Sequence, residues 1–359
     1  MTHILYAADV SLFSGKARAY LRWKGVDFVE AVPTTDVMKT VLIPAIGWPV
    51  IPVLQTTEGE MVQDTADIIA HFEAAHNGPS VMPSGPVQQF VTELLHTYAD
   101  QWLTLPAMHY RWNYNEAWVL EQFGRMAAPD ADRDTQIAIG TKNGKMFRAM
   151  TPILGVTEAT IPGVEASYLG FLDEFSTHLE LYDFVFGGRP SFADFALYGP
   201  LYAHLYRDPA SGKMMKSRAP NVARWVERLR DGEYGDGELL DGDHIPNTLL
   251  PMLARHHREH LPVLSATNIL LEQFEGAPLP RALGQVPFTV EGYTGQTITR
   301  PFSLFRLQAA LDIYAGLDAA AKARADAVLD ATAGAALKRF EVAKRLGREN
   351  YKLITVPAP

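Results

Sequence analysis

The chain reads as a mixed α/β unit followed by an all-helical domain and a mixed helix and β-hairpin extension. Three observations predict this. Over the first 77 residues, short β-prone runs alternate with helical patterns in the order βαβ-α-ββ-α. The stretch NGPSVMPSGP (77–86), rich in Gly, Pro and Ser, reads as a linker, after which helical periodicity dominates to about Arg230. The acidic, glycine-rich DGEYGDGELLDG (231–242) marks a second boundary. The domains are accordingly 1–77, 87–232 and an extension over 233–359.

The elements follow in order. HILYAAD (3–9) is a strand, and SLFSGKARAYLRWKG (11–25) a helix with Ser11 as N-cap and Gly25 as stop. Residues 26–33 form a second strand, and 36–43 a weak helix ending at Pro44. Residues 50–54 and 60–62 pair as a hairpin around Gly59, and 65–76 is an amphipathic helix. Helices are expected over 87–114, 116–128, 132–149, 164–181, 191–207 and 220–230. In the extension, 245–273 reads as helical, 286–302 as a β-hairpin around Gly292–Gly295, and 303–347 as alanine-rich helix. Ser191 and Asp194 have the spacing of a capping box, a structural role.

The composition is that of a globular protein: 359 residues, 47% hydrophobic and 20% charged, with a net charge of -9. No apolar run reaches membrane-spanning length, and the N-terminus lacks the basic and apolar regions of a signal peptide, so a cytoplasmic protein without a membrane partner is expected. The absence of a basic run argues against nucleic acid. There is no cysteine, which removes disulfides, thiolate metal sites and a cysteine nucleophile together. Any sulfur chemistry must therefore arrive with a ligand. His256 and His260 stand at i,i+4, a spacing that can ligate zinc. Glu does not follow the first His and no further ligand is evident, so they read as a solvated helix face, and no metal is expected.

Pro52 interrupts the apolar run Val50-Ile51-Pro52-Val53-Leu54. A proline cannot donate to a ladder, and a cis Ile51–Pro52 bond would explain its place. The Ile51 backbone would then be free to pair with a peptide-like ligand. Asp64-Thr65 opens a helix whose N-terminus suits a carboxylate, while the Asp64 carboxylate suits an ammonium. Together these match a γ-glutamyl group beside a peptide. Ser11, at the start of the first helix, could donate to a bound thiol and lower its pKa from about 8.5. It could equally serve as an N-cap alone.

These motifs resemble the thioredoxin-like domain of cytosolic glutathione transferases: Ser11…Arg18, then Val50-Ile51-Pro52-Val53-Leu54, then Asp64-Thr65-Ala66-Asp67-Ile68. The second domain adds GGRPSFADFALYGPLYAHL (187–205) and PNVARWVERL (220–229), similar to two of that family's helices. The resemblance covers about 1–232. It implies a thioredoxin-like domain, an all-α glutathione-transferase C-terminal domain, and glutathione as co-substrate. It assigns thiol activation to Ser11, with Ser14 or Tyr6 as alternatives. It assigns glutathione binding to Ile51, Pro52, Gln63, Asp64 and Thr65, with Trp48 where many members carry a basic residue near the glycyl carboxylate.

The resemblance also implies a homodimer and a small electrophilic acceptor. The acceptor pocket would be lined from the early helices of the second domain by Trp102, His109, Tyr110, Arg111, Trp112 and Tyr114, with Arg111 favouring an acidic or carbonyl substrate. The expected function is attack of the glutathione thiolate on an electrophile; the alternative is a non-catalytic binding or scaffold protein. The extension could cover the pocket, extend a dimer interface or bind a partner.

Overall fold

In the computed structural model, which describes residues 2–75, 78–275 and 278–357, the first domain is built on a four-stranded sheet of order β2-β1-β3-β4. β1 (His3–Tyr6) and β2 (Phe28–Ala31) are parallel, a pairing that needs a crossover, which α1 (Leu12–Trp23) provides. α2 (Thr35–Val37), a π-helical segment (Met38–Leu42) and α3 (Ile43–Ile46) follow as one helical stretch. Pro44 lies within this stretch, at the start of α3, and does not end the helix as expected; the Ile43 N–H just before it bonds to the Met38 carbonyl, a wider π-helical step at the place where the proline lacks a donor. Gly47, at φ 86°, closes the stretch.

β3 (Val53–Gln55) pairs antiparallel with β1 and with β4 (Met61–Gln63). α4 (Thr65–Ala75) completes the unit; His76 and Asn77, which the sequence reading placed at the helix end and the linker, lie outside the described residues. Leu5 and Leu54 from the sheet bury against Ala17 and Leu21 of α1 and Ile68, Ile69 and Phe72 of α4. Each of the larger side chains contributes about 1.5–3 kcal/mol by leaving water.

The second domain contains α5 (Pro86–Gln101), α6 (Thr104–Tyr114), α7 (Glu116–Ala127), α8 (Arg133–Ile153), α9 (Ile161–Leu179), α10 (Phe192–Pro200), α11 (Pro209–Arg218) and α12 (Pro220–Asp231). The single helix expected over 87–114 is broken at Trp102 and Leu103. The helix expected over 191–207 passes from α10 into a π-helical turn, Leu201–Tyr206. α11 was not foreseen because PASGKMMKSR carries no apolar stripe.

The pair α7 and α8 packs backbone to backbone. A methyl group at Gly140 would stand 1.9 Å from the Leu120 carbonyl oxygen, and one at Gly124 would stand 1.9 Å from that of Gln136. In an exposed helix Gly→Ala stabilises by about 1 kcal/mol. Here the overlap reverses the sign. We expect Gly140→Ala to lower stability by roughly 1–3 kcal/mol, read as a lower urea midpoint; a raised midpoint would refute the close approach.

The extension consists of α13 (Leu250–Glu259), α14 (Leu261–Gln273), β5 (Gly284–Val290), β6 (Tyr293–Thr299), α15 (Pro301–Ala315), α16 (Ala319–Ala331), β7 (Leu346–Glu349) and β8 (Lys352–Thr355). The β5–β6 hairpin turns at Glu291 and Gly292, at φ 44° and 82°, the left-handed pair that matches the strand twist. Two expectations are corrected. Helix does not run to residue 347; a second hairpin, β7–β8, ends the described chain. His256 and His260 do not face solvent: both are buried, as is His257. Burial, aided by the neighbouring His260 and His257, pushes His256 well below its ordinary value; burial takes His257 down to about 4, and burial with the nearby Arg300 charge takes His260 down to about 3, so all three rings are neutral packing elements at pH 7.

α15 lies along α5, and β7 lies beside α15. The same two elements reach the first domain through Arg306 of α15, which pairs with Asp64, and Arg348 of β7, which pairs with Asp67.

Candidate functional site

The β3 ladder begins at Val53, which faces Tyr6 on one side and Gln63 on the other. Ile51 and Pro52 lie just outside the pairing, and the bond between them is cis. Ile51 packs on the cluster of Ala8, Val10 and Trp112, the first two of which lead into Ser11. At the far end of the hairpin, Asp64 is held at φ 88°, a region costly for a residue with a side chain. The conformation makes Asp64 a cap for α4: its carbonyl accepts from the Ile68 N–H at 3.0 Å and its Oδ1 from the Ala66 N–H at 2.8 Å.

Trp48, Ile51, Pro52, Gln63, Asp64 and Thr65 line one cavity of about 500 Å³. All six glutathione-binding candidates are thus brought together. The remaining walls come from elsewhere in the chain. α5 contributes Asp100 and Gln101, α1 contributes Phe13, and the extension contributes Leu279, Arg281, Arg300, Phe302, Arg348 and Tyr351, among others.

The extension is tied to the first domain by ions. Arg306 of α15 pairs with Asp64, and Arg348 of β7 pairs with Asp67 while donating to the side chain and carbonyl of Gln63. Tyr351 Oη donates to the Met61 carbonyl at 2.9 Å. Burial would raise the Asp64 carboxyl, but Arg306, and Lys16 behind it, hold it below the usual carboxylate range. The carboxylate expected to meet an ammonium therefore already has a guanidinium partner. Arg281 lies over the Trp48 ring, 3.9 Å from its centroid, and so sets a cation at the place where Trp48 stands.

Asp100 belongs to a buried cluster. Its Oδ2 meets Lys16 Nζ at 2.8 Å and His96 Nε2 at 2.9 Å, and Lys16 Nζ meets His96 Nε2 at 2.9 Å. Burial would raise the Asp100 carboxyl; Lys16 and His96 hold it well below the ordinary range. Among the described residues Asp100 Oδ1 is buried without a hydrogen-bond partner, on a residue that lines the cavity.

The three thiol-activating candidates differ in exposure. Ser11 is half-buried, caps α1 and accepts from the Ser14 N–H at 3.3 Å, leaving its own O–H free to donate. Ser14 is buried and accepts from the Ala8 N–H at 3.2 Å. Tyr6 is buried and donates to Gln55 Oε1 at 3.1 Å. None of the three lines the cavity, whose nearest residue in the sequence is Phe13.

The acceptor-pocket candidates lie elsewhere as well. Trp102 donates its indole N–H to buried Glu259 at 2.9 Å and stacks on His260. His109 pairs with Glu165, which also accepts from the exposed Tyr114 at 2.7 Å. Tyr110 and Trp112 are core. Arg111 is buried and fully engaged: it holds Asp208 through two bonds of 2.7 and 2.8 Å and donates to the carbonyls of Val10 and Ala203. It fixes the turn before Ser11 and is not free for an acidic substrate. The sequence reading missed Asp100, Arg300 and the β7–β8 wall. One signal was available: Leu12, Lys16 and Tyr20, four apart, put a lysine on the apolar stripe of α1, which demands a buried anion nearby.

Among the described residues no helix is long and apolar enough to cross a membrane, and no group of three or more His, Asp or Glu is arranged to hold a metal. The family description "Glutathione S-transferase, N-terminal domain" matches residues 5–80, and "Glutathione S-transferase, C-terminal domain" matches 158–228. No protein with a curated description matches the chain. Similar solved structures include the beta-etherase LigF from Sphingobium sp. strain SYK-6, at 16% identity and TM-score 0.47 over 64% of this chain and 95% of that one. A GST-like protein from Pseudomonas syringae matches at 18% identity and TM-score 0.44 over 84% of this chain and 97% of that one. The Tau class glutathione S-transferase MiGSTU from mango, Mangifera indica, matches at 18% and 0.40 over 64% and 88%.

Proposed function

The chain belongs to the glutathione S-transferase superfamily, and from that premise we propose that it binds glutathione in the cavity under the extension and directs its thiolate at a small electrophile. The observation that carries this reading is the meeting of Trp48, Ile51, Pro52, Gln63, Asp64 and Thr65 in one cavity. Thr65 and the α4 N-terminus suit the γ-glutamyl carboxylate. The unpartnered Asp100 Oδ1 offers the ammonium an acceptor, and the unpaired backbone of Ile51 offers the cysteinyl peptide a partner. Ser11 donates to the sulfur; of the three candidates it alone is partly exposed. A donor of this kind stabilises the thiolate and takes no proton from it. On the same reading the protein acts in the cytoplasm as a homodimer.

A second reading, ligand binding without turnover, is favoured by the Arg306–Asp64 pair and by the hairpin that covers the cavity. One experiment separates the two. Glutathione raises the melting temperature by mass action and develops thiolate absorbance in the near ultraviolet on binding. Ser11→Ala then lowers conjugation of a generic electrophile by at least tenfold, about 1.4 kcal/mol, with little change in glutathione affinity. Binding with no turnover establishes the second reading. No binding sinks both.

A further inference from the structure

Arg300 differs from the other arginines around the cavity. Arg348 is paired with Asp67, Arg306 with Asp64, and Arg281 lies on Trp48. Arg300 lines the cavity, and among the described residues its one hydrogen-bond partner is the Gln101 carbonyl, which accepts from Nη2 at 2.7 Å. No carboxylate among the described residues pairs with it, and burial pushes its guanidinium down to about 10. Its charge helps to keep His260 neutral. Arg300 is half-buried, and a guanidinium partly withdrawn from water with no anion opposite it carries an uncompensated desolvation cost. The cost is removed when a ligand brings the missing charge, in a charge-assisted and often two-pronged bond.

The wall around Arg300 describes the rest of such a ligand. Phe302 stands two residues on, and Leu279 and Leu353 belong to the same extension wall. The first-domain wall opposite holds the residues assigned to the tripeptide. We propose that Arg300 is a specificity-determining residue that binds an oxyanion, carboxylate or sulfonate, of the second substrate, and that this substrate is an acid with an apolar or aromatic body. The proposal deepens the glutathione reading and rests on it only in taking this cavity as the ligand site.

The test uses the full chain and an unreactive pair of probes, 3,5-dinitrobenzoate and uncharged 1,3-dinitrobenzene, titrated by calorimetry with and without glutathione. The wild type is expected to bind the benzoate at least tenfold more tightly than the uncharged ring. Arg300→Met removes that preference and leaves the uncharged ring within twofold, and Arg300→Lys keeps part of it. Melting curves of both variants establish that they fold, and the lysine variant carries the test if the methionine variant does not. Equal binding of the two probes by the wild type, or a preference that survives Arg300→Met, overturns the proposal. A loss of glutathione affinity in Arg300→Met with unchanged benzoate binding also overturns it, by giving the guanidinium to the tripeptide. If glutathione fails to bind the wild type while the benzoate preference follows Arg300, the glutathione reading falls and the oxyanion site stands.

Discussion

Asp194→Ala is expected to destabilise the protein by about 4 kcal/mol or more, a large part of the 5–15 kcal/mol that holds a typical domain folded. The carboxylate is fully buried and accepts four hydrogen bonds: the Ser191 N–H and O–H at 2.8 and 2.7 Å, the Val185 N–H at 3.0 Å and the Trp225 indole N–H at 3.1 Å. It thus starts α10, fixes the 185–191 loop and anchors α12. Alanine leaves these donors buried without acceptors, at about 1–3 kcal/mol each before relaxation. Asp194→Asn keeps the shape and one carbonyl oxygen, and should cost far less.

The two variants also differ in pH dependence. Burial, only partly offset by the four donors, raises Asp194 to about 6 from 3.8. A carboxyl whose folded value is raised binds its proton more tightly when folded. Its contribution is therefore complete below pH ~4 and is lost as pH rises through about 6. Urea midpoints should show the wild-type advantage over Asp194→Asn shrinking between pH 4 and 6. A growing advantage would show that the ionised form is the favoured one.

The second large effect is expected at Lys16. Its side chain is wholly buried, with Asp100 and His96 as partners and the Phe192 ring below it. Lys16→Met leaves Asp100 without its cation and should cost about 3–5 kcal/mol. Removing both charges, as Lys16→Met with Asp100→Leu, should recover most of the loss, because a buried pair is repaid only in part for its desolvation. A double-mutant cycle from urea midpoints measures the coupling. Costs that simply add would mean that the pair does not act as a unit. Asp100→Leu alone also removes the unpartnered Oδ1, so its effect on glutathione affinity tests the proposed ligand contact of this carboxylate apart from its structural role.

The first domain was legible because its signals are local. Strand alternation, the stops at Gly25 and Gly59 and the Asp64-Thr65 opening each act over a few residues, and the proline within 50–54 marked the place of the cis bond. Trp48, Ile51, Pro52, Gln63, Asp64 and Thr65, six of the residues by which this domain lines the cavity, were legible for the same reason. The aromatic segment 101–118 was not, because a Trp or Tyr with one polar contact reads alike in a core and in a pocket. Arg111 has the sequence of a free cation and the structure of a clamp on Asp208. Lys352–Thr355 is too short to show alternation, and nothing near Arg306 or Arg348 in the chain points to Asp64 and Gln63, more than two hundred residues earlier.

The far wall of the chamber comes from residues 278–353, and neither matched domain, 5–80 or 158–228, reaches them. Kinship accounts for how a tripeptide would be held. On the proposed reading, selectivity for the other reactant would be written in a stretch outside that kinship, and the preferred substrates of shorter relatives would then be no guide to those of this protein.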